Sequence, residues 1–221
     1  MGDSMEEIDV NNWNRKMNYE FFKTFSNSTY SMNVRMDVTK IVKYSKENDR
    51  SFFINMLYIV LKGLNNTSEM RMRLVNDKPT IYDDINPAFN VMTEDNSYVN
   101  VRFRNIKYYN EFYSVAHKYI ENAKKGIDVD QSNYNPKDCY NEYYITCVPW
   151  VDIKSVTHPI PDDKASQCIP RICWGKYINE GDKYYLTLNI TVSHIFVDGH
   201  PLSKVFNTIQ EFLNKADEIL K

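Results

Sequence analysis

Two side chains able to handle a proton stand four residues apart near the end of the chain, in the string Ser193-His194-Ile195-Phe196-Val197-Asp198-Gly199. Imidazole is the side chain whose unperturbed charge changes close to neutral pH, so His194 can take up and return a proton under ordinary conditions. Asp198, a carboxylate, follows four residues later. Upstream, Leu186, Leu188, Ile190 and Val192 alternate with Thr187, Asn189, Thr191 and Ser193, the period of a strand with one face buried. Continuing that parity puts His194 on the apolar face, where desolvation favours the neutral ring that a general base must be. Gly199, next to Asp198, supplies a backbone that can turn sharply or come close to a ligand.

Other chemistry is open to the same residues. A lone histidine on an apolar strand face is more often a core residue bonded to a backbone group. His194, Asp198 and His200 are two imidazoles and a carboxylate, a workable metal set, but a strand does not give them the common face that a helix would. Ser193 and His194 make a poor nucleophile and base, because neighbours on a strand point to opposite faces and no G-x-S-x-G elbow is present.

The elements that must position these residues follow from length and pattern. A chain of 221 residues with 43% hydrophobic and 14% aromatic content fits one globular domain over 1–221. A net charge of -2 gives no broad attraction for nucleic acid or an anionic membrane surface. Cys139, Cys147, Cys168 and Cys173 form no C-x-x-C pair and no apolar leader precedes Met17, which reads as a reduced, cytoplasmic protein. Asn27-Ser28-Thr29 and Asn66-Thr67-Ser68 are then chance glycosylation sequons.

Residues 1–7 read as a frayed terminus. The segment after Asn12-Trp13-Asn14-Arg15-Lys16 carries Tyr19, Phe21, Phe22 and Phe25 and reads as a short helix. Residues 29–39 alternate as a strand, 52–64 form a buried helix too short to span a bilayer, and 70–77, 80–82 and 89–92 follow as a meander of strands. Helical spacing from Phe112 to Ala123 ends at Gly126, and a polar loop runs from Ile127 through Asp138. Residues 142–148 make another strand, 179–182 a turn, and an apolar stripe from Leu202 through Ile219 a C-terminal helix.

The string His194-x-x-x-Asp198-Gly199, between a strand and a C-terminal helix, resembles the signature of the chloramphenicol acetyltransferases and related acyltransferase domains. Two further stretches resemble the same family in the same order: Asn12-Trp13-x-Arg15-Lys16 near the start, and a Ser-x-x-Pro-Trp element that here reads Thr146-x-x-Pro149-Trp150. The resemblance implies that Arg15 pairs with Asp198, that His194 is the general base, and that Thr146 donates to the oxyanion. It implies acetyl-CoA as cosubstrate, with Lys176 meeting a phosphate and Tyr177 stacking on the adenine. Phe21, Phe22, Phe25 and Tyr30 lie where the family draws aromatic walls for its acceptor, with Cys173 at a ligand-facing position. The expected fold is an α/β two-layer sandwich, a mixed sheet flanked by helices. The expected assembly is a homotrimer with its site between subunits.

The departures from the family pattern cluster on ligand-facing positions. The usual His-His is Ser193-His194, and Lys-Phe-Tyr-Pro at the start of the buried helix is Ser51-Phe52-Phe53-Ile54, which removes a cation from the cofactor side. Phe-Thr-Met before Gly-Lys-Tyr is Ile172-Cys173-Trp174, which removes a hydroxyl near the oxyanion. The Glu-Thr-x-Thr-Phe-Ser segment is only loosely echoed at residues 94–99.

Overall fold

The computed structural model describes residues 4–127 and 140–221. The long strand β10 (Lys183–Ser193) is its spine. On one side β10 pairs antiparallel with β2 (Thr29–Asp37) from Tyr185↔Asp37 to Ser193↔Thr29. On the other it pairs antiparallel with β8 (Arg171–Gly175), which runs parallel to β7 (Glu142–Val148). Beyond β7 lie β5 (Asn86–Met92), parallel to it, and β6 (Tyr98–Arg102), antiparallel to β5. The short β9 (Ile178–Glu180) hairpins back onto β10, which completes a mixed seven-stranded sheet.

Leu186, Leu188, Ile190 and Val192 face the core on one side of β10. The helical layer there is α3 (Phe52–Asn65), packed on α6 (Gly199–Leu213) and flanked by α2 (Thr39–Glu47) and α4 (Tyr109–Lys124). Ser51 caps α3, its hydroxyl accepting from the Ile54 N–H at 3.4 Å, and the helix is then apolar nearly all round, as a central helix must be. Gly63 lets α3 and α6 touch: a Cβ there would sit 2.4 Å from Ile209 Cγ1. Gly126 follows α4 with φ +66°, in the left-handed conformation that ends helices.

Several expectations need correction. Met5–Glu7 is not frayed but forms β1, paired with β4 (Lys78–Tyr82), which pairs with β3 (Met72–Val75) in a separate three-stranded sheet. The segment after the buried helix is therefore split between two sheets instead of forming one meander. Neither helix α2 nor strand β6 is among the elements read from the sequence. The C-terminal stripe is broken at Asn214 and Lys215, after which α7 (Ala216–Ile219) continues. The polar face of β10 is not open to water: Thr187, Asn189, Thr191 and Ser193 are all buried, and the last three are bonded sideways, as in Ser31 Oγ···Thr191 Oγ1 at 2.6 Å, Asn189 Nδ2→Asn33 Oδ1 at 2.9 Å and Ser28 Oγ···Ser193 Oγ at 2.7 Å. Residues 128–139 of the polar loop, and Cys139, lie outside the described residues.

Candidate active site

Strand β10 ends at Ser193, and His194 opens a turn instead of continuing the strand parity. Its N–H donates to the Ser28 carbonyl at 2.8 Å, which carries the β2 ladder one residue further. The imidazole is not buried on the apolar face; 33% of the side chain remains exposed. Phe22, on helix α1 (Lys16–Lys23), stacks on it with ring centres 4.0 Å apart and planes 11° off parallel. Tyr30 meets it at 4.6 Å. The Tyr30 hydroxyl donates to the Val197 carbonyl at 3.2 Å, and burial, helped by the Asp198 charge, pushes its pKa up to about 12.

Asp198 is the N-cap residue of α6. Arg15, at the start of α1, grips it as a fork: Nε to Oδ2 at 3.0 Å and Nη2 to Oδ1 at 2.7 Å. The same guanidinium donates to the Ile195 carbonyl at 2.9 Å and to the His194 carbonyl at 3.4 Å, so one side chain holds both ends of the turn. Burial pulls the Asp198 carboxyl upward, but the Arg15 hydrogen bonds and charge, with His194, outweigh it and leave its pKa below the ordinary value. Asp198 Oδ1 lies 3.1 Å from His194 Nδ1. An ionised carboxylate only accepts, so a neutral ring bonded this way carries its proton on Nδ1 and turns the Nε2 lone pair outward. Gly199 does not make a sharp turn; it starts α6, and a Cβ would meet only Met32 Cε at 3.8 Å.

The aromatic residues before β2 stand beside this ring. Phe21, Phe22 and Phe25 touch one another with centres 5.0 to 5.3 Å apart, and Phe21 is 58% exposed. Such an exposed aromatic cluster at the mouth of a site is a ready apolar wall.

Other residues singled out from sequence are not brought to His194 within one chain. Thr146 is exposed on β7, aligned with Cys173 on β8 and Asn189 on β10. From Ser193, next to His194, that row is about 10 Å away across two strand spacings and about 13 Å along four residues. Thr146 also shares the sheet face of Asn33, opposite to that of Tyr30. Cys173 is fully buried in the same row, and burial raises its thiol pKa to about 11, far from a nucleophile at neutral pH. Lys176 and Tyr177 sit at the opposite end of β10 from His194, where Tyr177 packs edge-on to Phe52 at 4.8 Å. Gly175 allows this corner to form: a Cβ would lie 2.7 Å from the Val151 carbonyl, which accepts the Lys176 N–H at 2.8 Å. A cleft of about 230 Å³ lies toward that end too, and its charged lining, Arg35 with Glu180 and Lys154 with Asp152, is paired within itself.

Among the described residues no group of three or more His, Cys, Asp or Glu side chains converges as a metal site, and His200 is exposed. No helix among them is long and apolar enough to cross a membrane. Sequence reasoning missed Ser28 and Gln167, buried behind the turn, and with them the partners of Ser193. A serine inside a sequon and a glutamine 139 positions away carry no shared pattern that would have paired them.

The chloramphenicol acetyltransferase family model matches residues 4–210. A chloramphenicol acetyltransferase of Proteus mirabilis is 26% identical over 216 residues, which cover 95% of this chain and 94% of the relative. One from Clostridium perfringens is 28% identical over 215 residues, 95% of each. A solved chloramphenicol acetyltransferase structure superposes with a TM-score of 0.86 at 25% identity, covering 95% of this chain and 100% of that one.

Proposed function

Because the chain belongs to the chloramphenicol acetyltransferase family, we propose that this acyltransferase moves an acetyl group from acetyl-CoA to a hydroxyl of chloramphenicol, the reaction of antibiotic inactivation. It works as one domain over residues 1–221, with no metal and no covalent acyl-enzyme. The observation that carries this reading is the His194 ring, tied through Nδ1 to a carboxylate that Arg15 holds ionised and left partly exposed between Phe22 and Tyr30.

His194 Nε2 takes the proton from the acceptor hydroxyl as its oxygen attacks the thioester carbonyl. The Thr146 hydroxyl donates to the oxyanion, a donor contribution of the kind that is large in acyl transfer. Collapse of the tetrahedral intermediate expels the CoA thiolate, which recovers the proton from the imidazolium. Phe21, Phe22, Phe25 and Tyr30 wall the acceptor, Cys173 lies in the sheet beside Thr146, and Lys176 and Tyr177 receive the phosphate and adenine of acetyl-CoA.

The assembly in this proposal is a homotrimer with each site shared between copies. It is supported by the separation within one chain: Thr146, Lys176 and Tyr177 lie away from the chain's own His194, so a site that uses all of them would take its His194 from a neighbouring copy. The free thiols of Cys147, Cys168 and Cys173 suit a reducing cytoplasm.

The test is release of free coenzyme A thiol from acetyl-CoA with chloramphenicol and a panel of other hydroxylated acceptors. Turnover of chloramphenicol at ordinary enzyme rates is the expected result. Faster turnover of another alcohol would reassign the acceptor. No release with any acceptor despite tight acetyl-CoA binding would make the chain a binding module that has lost turnover.

A further inference from the structure

Behind the His194 turn lies a chain of buried hydrogen bonds that starts at Gln167. Gln167 Nε2 donates to the Ser26 carbonyl at 2.9 Å and to the Asp162 carbonyl at 3.2 Å. Its Oε1 accepts the Ser28 N–H at 3.2 Å and the Ser28 hydroxyl at 3.1 Å. Flipping the amide would set its NH₂ against the Ser28 N–H and its oxygen against two carbonyls, so only one orientation is allowed. Ser28 Oγ donates to Gln167 and is also bonded to Ser193 Oγ at 2.7 Å, a contact in which either hydroxyl can be the donor. Ser193 Oγ accepts the Ile195 N–H at 3.3 Å. All three side chains are buried, Gln167 at 2% exposure. Helix α5 (Lys164–Gln167) delivers the glutamine, and the Asp163 side chain accepts the Ser166 N–H at 2.8 Å to cap it.

We propose that Ser28, Gln167 and Ser193 are positioning residues for His194: they fix the amides of His194 and Ile195 from inside while Arg15 fixes the two carbonyls from outside. The His194 N–H goes to the Ser28 carbonyl and the Ile195 N–H to the Ser193 hydroxyl, and Gln167 holds Ser28 by both its N–H and its hydroxyl. The turn is thus clamped on both sides of its peptide planes, and the direction of the His194 Cα–Cβ bond is set by buried groups with no exchange partner in water. Ser193 stands where the family pattern has a second histidine, and in this chain its hydroxyl links the turn to Ser28. The proposal rests on His194 being the general base.

The variants Ser193→Ala and Gln167→Met remove one link each, with His194→Ala as the reference that assigns the His194 ring signals by proton NMR. Phe22 stacked on the ring shifts those protons upfield in the wild-type chain. In both variants they move back toward the free-histidine position while those of His117 and His200 stay in place, and kcat falls between about tenfold and a hundredfold with KM for acetyl-CoA unchanged. The ring signals do not depend on turnover, so a wild-type chain that transfers no acetyl group would sink the assigned reaction while the NMR still decides the positioning. If Gln167→Met does not fold, Ser193→Ala, the loss of one hydroxyl, decides. Unmoved His194 signals in a folded variant would overturn the proposal.

Discussion

Replacing Arg15 by Ala removes two hydrogen bonds onto Asp198 and one each onto the carbonyls of Ile195 and His194. Breaking a fully buried ion pair by deleting one partner costs about 3–5 kcal/mol. Here the two side chains keep 14% and 30% of their exposure. Water recovers part of the loss, and a destabilisation of about 2–3 kcal/mol is expected in urea unfolding. The larger consequence is geometric. Asp198 is freed from its fork, His194 Nδ1 loses a fixed acceptor and the turn loses its outer clamp, so a ring displacement of about 1 Å is in reach and costs about a hundredfold in kcat. If Arg15 and Asp198 act through each other, Asp198→Ala loses a similar factor and the double variant little more, a coupling of about 1–3 kcal/mol. Arg15→Lys should recover only part of the activity, since an ammonium cannot reproduce the two-pronged contact. The assay is thiol release under saturating acetyl-CoA for the three variants and the lysine form. Losses that add within about 0.5 kcal/mol, or a fully active Arg15→Lys, would refute the reasoning.

Thr146→Val keeps the shape of an exposed strand residue and removes its hydroxyl; kcat should fall by about a hundredfold or more with KM for acetyl-CoA unchanged, and an active variant would remove Thr146 from the oxyanion. Mixing inactive His194→Ala and Thr146→Val chains, unfolded and refolded together, should restore activity at about a quarter of the sites if each site joins two copies; no recovery would place both residues in one chain's site. Gly63→Ala forces a methyl against Ile209 Cγ1 and should lower stability by about 1–3 kcal/mol in urea, and an unchanged midpoint would show that α3 and α6 separate freely. The Asp198 carboxyl has a folded pKa below its unfolded value of 3.8, so its stabilisation is present above that pH and is lost as pH falls through the folded pKa; Asp198→Asn should flatten this acid limb, and an unchanged limb would contradict the pairing.

The parts of this chain that were legible in sequence are those with a strong period or a long-range electrostatic complement. Strand β7 has the bounds read from its pattern, and α3 shows as an apolar run because a central helix is buried on every side. The Arg15–Asp198 pair was found across 183 positions only because motif resemblance joined the two ends of the chain. Helix α2 escaped because just Ile41, Val42 and Ser45 are buried among lysines and a tyrosine, too short a stripe to stand out. Strand β1 escaped because its three residues are exposed and are held by pairing with β4 alone. The alternation along β10 suggested a wet polar face, yet that face is dry: Asn189 satisfies Asn33 and meets His158 Nε2 at 3.0 Å, and alternation cannot distinguish water from a buried polar partner. The serine and glutamine links behind His194 depend on rotamers and on partners far apart in sequence, which no local pattern encodes.

The central claim is that His194 Nε2 takes the proton from the acceptor hydroxyl, and His194→Ala measures it directly. The side chain is a third exposed and its ring is not part of the core, so the variant should fold and bind acetyl-CoA as the wild-type chain does. Thiol release with chloramphenicol should fall by about a hundredfold to ten-thousandfold. A folded His194→Ala protein that still acetylates at the wild-type rate would contradict the account.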